Sequence, residues 1–283
     1  MSRLFRHSIC NEVFEGWGFA ESCKAIRRAG YDGIEIAPFT LNEYPATITA
    51  SQRAEYRRIM REEGLVFVGL HWLMVAPKGL HVTTPDDALR EKSWRHIHDL
   101  VDLCADLADD QSEKGILVFG SPKQRTSTGG LTPAQATRHY VHGLAGVASR
   151  AAANGVTILV EALPSADSDI VNTVAEAAVI VNEIGSPAIQ TMFDTHNAAD
   201  ERKPHGEVLN EYFDLIRHVH INEMDGRHPG TGDYDFLPIF QTLHRRNYKG
   251  WLSLEVFDFS AGAETIANGS LRYVEKILGR IQA

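Results

Sequence analysis

ILVE (158–161) is a short apolar run closed by a carboxylate, and three later runs repeat the design: IQTMFD (189–194), LIRHVH (215–220) and LSLE (252–255). Each reads as a buried strand followed by a helix. The closing residues, Glu161, Asp194, His220 and Glu255, stand roughly 30 residues apart, about the length of one strand-helix-strand unit. Units of that kind closing into a barrel bring the four side chains to one mouth. Three carboxylates and an imidazole converging there suit one hard or borderline divalent metal. The competing reading is an ion-pair network that merely lines the barrel.

The same alternation runs through the whole chain. Apolar strand candidates lie near 3–9, 31–37, 65–71, 115–120, 156–162, 188–194, 215–222 and 251–257. Helical patterns lie between and after them, near 18–29, 51–63, 86–108, 132–153, 172–184, 205–213, 235–246 and 261–280. Strict alternation predicts an α/β protein, a single (β/α)8 TIM barrel over residues 1–283, and about 250 residues is the usual size of that fold. Gly30, Gly64, Gly155 and Gly185 stand where helices should stop, and Thr132-Pro133 reads as a cap and first helical residue. The polar DDQSEK (109–114) is a connector rather than a domain boundary.

Period-two alternation sorts the strand residues by face. Trp251, Ser253 and Glu255 share one face against Leu252, Leu254 and Val256. His218, His220 and Asn222 oppose Val219 and Ile221. Leu159 and Glu161 oppose Ile158, Val160 and Ala162. Glu35 opposes Ile34 and Ile36, and Gly69 and His71 oppose Val68 and Leu70. The aliphatic members should meet the helices, so the polar ones face inward at the carboxyl ends of strands, where barrel enzymes hold their active sites. Inward carboxylates need a cation or hydrogen-bond partners.

Composition narrows the function classes. Net charge is −9, which argues against nucleic acid as a partner. No apolar run is long enough to span a membrane, and MSRLFRHSICNE at the start has no long apolar core. Cys10, Cys23 and Cys104 are widely spaced, as expected of reduced core thiols in a cytoplasmic protein.

At GYDGIEI (30–36), VTILVEALP (156–164), MFDTHNA (192–198), HVHINEMDGRHPGTGDYDF (218–236) and NYKGWLSLEVF (247–257) the chain resembles the sugar phosphate isomerase/epimerase branch of the xylose-isomerase-like barrels. That branch includes tagatose/psicose 3-epimerases, hydroxypyruvate isomerases and inosose isomerases. The resemblance implies that Glu161, Asp194, His220 and Glu255 bind one divalent ion, Mn²⁺ first and Mg²⁺ or Co²⁺ otherwise. It implies that Glu161 and Glu255 serve as the acid/base pair. A metal chelating a carbonyl and its neighbouring hydroxyl acidifies the C–H between them and stabilises the enediolate. Carboxylates on two faces would epimerise, whereas one shuttling between adjacent carbons would isomerise an aldose and a ketose. The expected substrate is a small carbohydrate, and the family makes a homodimer or homotetramer a further expectation.

The family also implies a histidine after strand six and an arginine after strand seven as substrate contacts. Here these are His196, in Asp194-Thr195-His196 and one residue closer than the family's D-x-x-H, and Arg227, one residue further from His220 than in the epimerases. Glu35 can hydrogen-bond a substrate hydroxyl or a metal-holding histidine, or pair with an inner arginine. His71 can touch substrate or sit satisfied in the core, and His218, deeper, reads as core. FGSPKQRTSTGG (119–130) carries Lys123 and Arg125 and can hold an anionic group. Phe14, Trp17 and Trp72 can wall the pocket.

Elimination by a lyase or dehydratase would start from the same enolisation. Phosphodiester hydrolysis on this barrel needs more histidines, whereas strand four ends in Val118-Phe119-Gly120 and Asp233-Tyr234-Asp235 stands where a D-x-H pair is expected. A non-catalytic binding barrel would have no need of the complete quartet.

Overall fold

The computed structural model describes residues 3–282. Eight strands, β1 (Arg6–Cys10), β2 (Gly33–Ile36), β3 (Val66–Leu70), β4 (Ile116–Phe119), β5 (Thr157–Val160), β6 (Ile189–Asp194), β7 (Ile216–Ile221) and β8 (Trp251–Leu254), pair in parallel in chain order. β8 returns to β1, closing a single (β/α)8 TIM barrel.

Around it run α1 (Phe19–Ala29), α2 (Ala50–Glu62), α3 (Asp87–Leu107), a short α4 (Pro122–Arg125), α5 (Pro133–Ala153), α6 (Val174–Ile184), α7 (His205–Glu211), α8 (Leu237–Arg245) and α9 (Ala263–Gln282). Helix ends follow local chemistry. Thr49 with Gln52 and Thr132 with Gln135 form reciprocal caps at the starts of α2 and α5. Gly30 and Gly185 close α1 and α6 in the left-handed conformation, at φ 103° and 64°. No described helix is long and apolar enough to cross a membrane, and the three cysteines are free and buried.

The outward faces of the strands meet the helices in two large apolar clusters. One contains Ile34, Ile36, Ile158, Val160 and Leu254; the other contains Phe193, Val219, Ile221 and Leu252. The interior is filled in tiers. Low in the barrel the Arg6 guanidinium lies 4.4 Å from the centre of the Trp251 ring. Gly33 makes room for that indole, because a Cβ there would stand 2.8 Å from both Trp251 and Val68. Val118, Leu159 and Met192 form a separate apolar plug. Polar groups are gathered above it.

One face assignment is corrected. Val68 does not share the outer face with Leu70. Ile34 pairs with Phe67 and Glu35 with Gly69, so Val68 is the extra residue of a bulge and turns inward. Leu70 stays among the helix-facing residues.

α3 and α5 approach closely where Gly143 faces Trp94, and a Cβ at 143 would stand 1.8 Å from the indole. Gly143→Ala should therefore destabilise the protein by about 1–3 kcal/mol, the usual cost of overpacking a core. A lowered thermal midpoint checks it, and an unchanged midpoint would contradict this packing.

Candidate metal centre and cleft

The barrel mouth assembles the site from strand ends. Asp194 closes β6 and is the register neighbour of His220 on β7. Glu161 and Glu255 follow β5 and β8 directly. One ligand atom from each of these four buried residues lies within 4.8 Å of every other. His220 Nδ1 lies 3.0 Å from Glu255 and 3.5 Å from Asp194. Asn197 donates from its amide to Glu161 Oε1 (2.9 Å) and from its backbone N–H to Asp194 Oδ1 (2.8 Å).

Beneath this quartet lies a second line of paired charge. Glu35 places one oxygen 3.0 Å from His220 Nε2 and the other 2.8 Å from His218 Nε2. His71 Nε2 lies 2.7 Å from Glu12. Glu35 and His71 are wholly buried, and neither lines the cleft above. Of the roles open to Glu35, the geometry realises the hydrogen bond to a histidine of the quartet.

Crowding of like charge moves the titrations. Burial, then the neighbouring Glu255 and Asp194 carboxylates, push Glu161 up to about 8, against the relief given by His220 and Asn197. Burial likewise raises Glu255, with His220 opposing it. For Asp194 burial is outweighed by His220 and by the Asn197 N–H, and its carboxyl is held low. Burial would lower His220, but Glu35 and Glu255 override it and hold the imidazole well above its ordinary value. His71 is raised to about 9 because Glu12, with Glu35 and Glu255, outweighs burial.

The cleft above the quartet has a volume of about 310 Å³ and is lined by Trp72, Gly120, Ser121, Asp167, His196, Asn197 and Phe257, among others. Gly120 is required there, since a Cβ would stand 2.2 Å from Glu161 Oε2. His196 holds the Met224 carbonyl through Nδ1 at 2.8 Å. In the neutral ring that bond leaves Nε2 as an acceptor.

Two arginines near the mouth in sequence are turned away. Arg227 is 44% exposed and paired with Asp225 at 2.7 Å, outside the cleft lining. Arg125 is wholly buried. Pro122 starts α4, and Arg125 at its end donates to the carbonyls of Phe119 (2.9 Å) and Val171 (3.4 Å). The segment 119–130 therefore does not present Arg125 to an anion. Glu223, three residues beyond His220, clamps a loop by accepting from the Gly230 and Tyr234 N–H groups at 2.8 and 3.1 Å.

Glu12, Asn197 and Phe257 were absent from the sequence candidates. All three follow strand ends, where period-two reasoning stops applying. Asn222, assigned only to the inner face, organises the β6 end by accepting from Thr195 Oγ1 (2.7 Å) and the His196 N–H (2.8 Å).

Glu161 and His71 both bind protons more tightly when folded. Their stabilisation is complete below their unfolded values, 4.5 and 6.5, and is lost as pH rises through about 8 and 9. Chelator-treated protein should accordingly show a falling thermal midpoint between pH 6.5 and 9. A midpoint rising across that window would contradict the assigned shifts.

Comparison with known proteins places this geometry. A family model described as xylose isomerase-like TIM barrel matches residues 23–277. A D-psicose 3-epimerase of Agrobacterium fabrum is 24% identical over 248 residues, covering 86% of this chain and 81% of that protein. An L-ribulose 3-epimerase of Mesorhizobium japonicum is 28% identical over 258 residues, covering 91% and 82%. The crystal structure of a 3-keto-D-glucoside 4-epimerase from E. coli superposes with a TM-score of 0.82 at 20% identity, covering 96% of this chain and 99% of that one. The chain belongs to the xylose isomerase-like TIM barrel family.

Proposed function

We propose that this protein is a divalent-metal-dependent isomerase or epimerase of a keto-sugar or related polyhydroxy ketone, with Glu161 and Glu255 as the acid/base pair. The observation that carries this reading is the buried quartet, Glu161, Asp194, His220 and Glu255, with mutually adjacent ligand atoms beneath a cleft open to a small molecule. The related epimerases support the reaction class. Elimination gains no support from them.

The donor set fits a single divalent ion, Mn²⁺ first. Oxygen donors with one imidazole suit Mn²⁺ or Mg²⁺, and Co²⁺ accepts the same set. Glu35 orients the imidazole from its far nitrogen, as carboxylates commonly do for ligand histidines. The ion, when bound, supplies Lewis-acid polarisation of the substrate carbonyl.

The protein's own groups handle the protons. Glu161 from β5 and Glu255 from β8 reach the cleft from different sides of the barrel. One carboxylate takes the proton from the carbon beside the carbonyl, and the other returns a proton to that carbon with inverted configuration. Asn197 fixes Glu161 Oε1, and Oε2 lies on the side kept open by Gly120. His196 Nε2 is proposed to accept a hydrogen bond from a substrate hydroxyl. Arg227 would contact substrate only after leaving Asp225.

Glu161→Gln and Glu255→Gln should each reduce turnover of a keto-sugar by at least a hundredfold with the fold intact, since general acid–base groups contribute about 10²–10⁴-fold. Solvent-deuterium incorporation beside the carbonyl is the readout, and near-native exchange in either variant would sink the acid/base assignment. Calorimetry should show one Mn²⁺ site, weakened in Glu161→Gln. Gly120→Ala should weaken it too by displacing the Glu161 carboxylate. Native affinity in Gly120→Ala would show that Glu161 is not held against residue 120.

A further inference from the structure

A second cavity opens beside the cleft, at the same end of the barrel. It measures about 200 Å³ and is lined by Asn11, Phe14, Glu15, Trp17, Phe39 and Thr40, among others. Its walls come from the segments after β1 and β2. Phe14 and Trp17 meet edge to face with centroids 5.4 Å apart.

Phe39 links the two spaces. Its ring is nearly parallel to Trp72 of the cleft, at 14° and 6.1 Å between centroids. Trp72 is in turn nearly parallel to Phe257 across the cleft, at 8° and 6.1 Å. The three nearly parallel rings form an aromatic strip that joins the cleft, lined by Phe257 and Trp72, to the second cavity, lined by Phe39. Phe257 at the cleft end of the strip and Trp17 in the wall of the second cavity are 39% and 37% exposed.

Charge decides what kind of molecule can follow that strip. Among the described residues no lysine or arginine lines either space. Arg125 is committed to two carbonyls and Arg227 to Asp225. Asp167, Glu161 and Glu255 face the cleft and Glu15 the second cavity. Away from the proposed ion, a phosphate group would meet Asp167 or Glu15 with no lysine or arginine to offset them. An uncharged pyranose fits. Its C–H face packs against the electron-rich face of an aromatic ring, and its hydroxyls can donate to an exposed carboxylate such as Glu15.

We infer that the substrate is an unphosphorylated keto-sugar carried as a glycoside, with the ring to be enolised over the quartet and a second sugar ring seated between Trp17 and Phe39. This rests on the keto-sugar reading of the cleft and adds the second subsite. The Phe39–Trp72–Phe257 strip is the path along which the two rings lie.

The test compares a free ketohexose with a keto-disaccharide by solvent-deuterium exchange. Native protein should favour the disaccharide in kcat/KM by about tenfold or more. Trp17→Ala should collapse that ratio towards one, mainly through KM for the disaccharide, and Glu15→Gln should reduce it in part. A native ratio near one, or a ratio that survives Trp17→Ala, would overturn the subsite. A second arm uses gluco-configured disaccharides of α and β linkage, which carry no ketone and cannot enolise. At least one should change tryptophan fluorescence saturably in native protein and not in Trp17→Ala, and silence from all of them would also overturn the subsite. Disaccharide binding without exchange of any keto-sugar would instead sink the enolisation reading and leave the subsite standing.

Discussion

Four carboxylates buried together at the mouth of one barrel set the terms for everything near them. Glu35, Glu161, Asp194 and Glu255 are all buried residues, and an unpaired buried charge costs several kcal/mol. The protein answers with imidazoles from a single strand. His218 and His220 project inward from β7 and share the two oxygens of Glu35. His220 then turns its other nitrogen to Glu255 and Asp194. The carboxylate beneath thus decides which nitrogen faces the cleft and at what angle. Charge compensation and imidazole orientation are one arrangement, so Glu35 acts through His220 and does not itself line the cleft.

Barrel closure supplies the other half of the geometry. The residues of the quartet are separated by long stretches of chain, and parallel pairing in chain order brings β5 through β8 side by side with their ends level. That much was readable from the sequence, because an apolar run ending in a polar residue is a local pattern and its repetition implies the fold. Inward and outward faces of β2, β5, β7 and β8 followed from alternation alone. β3 did not. Its bulge depends on Gly69, where a Cβ would stand 2.3 Å from the Ile116 carbonyl oxygen. That close approach between strands leaves no periodic signal.

The charged residues outside strands were the least legible. Arg125 and Arg227 both stand near the mouth in sequence, and a basic residue there reads equally well as an anion ligand or as a structural group. Their directions are set by a proline-initiated turn in one case and by an aspartate two residues away in the other. Glu12 and Asn197 are illegible in the sequence for the same reason. Loop side chains take their aim from a few hydrogen bonds, and single residues in a sequence do not announce those.

Strain marks the boundary between the strand ends and the loops beyond them. Trp72 and Ser121, directly beyond β3 and β4, adopt positive φ of 50° and 52° although neither is glycine. Such residues cost about 1–3 kcal/mol each and persist only where the surroundings enforce them. Both line the cleft. The strained turn at Trp72 lays its indole parallel to Phe39 and Phe257, while Ser121 Oγ is buried without a protein partner. The floor is built from strand ends that closure holds in place, whereas the walls come from loops that can change length independently. The buried quartet and the walls of the cleft are therefore separable in this barrel. The quartet can hold its geometry while the segments after β1, β2 and β3 determine what may lie above it.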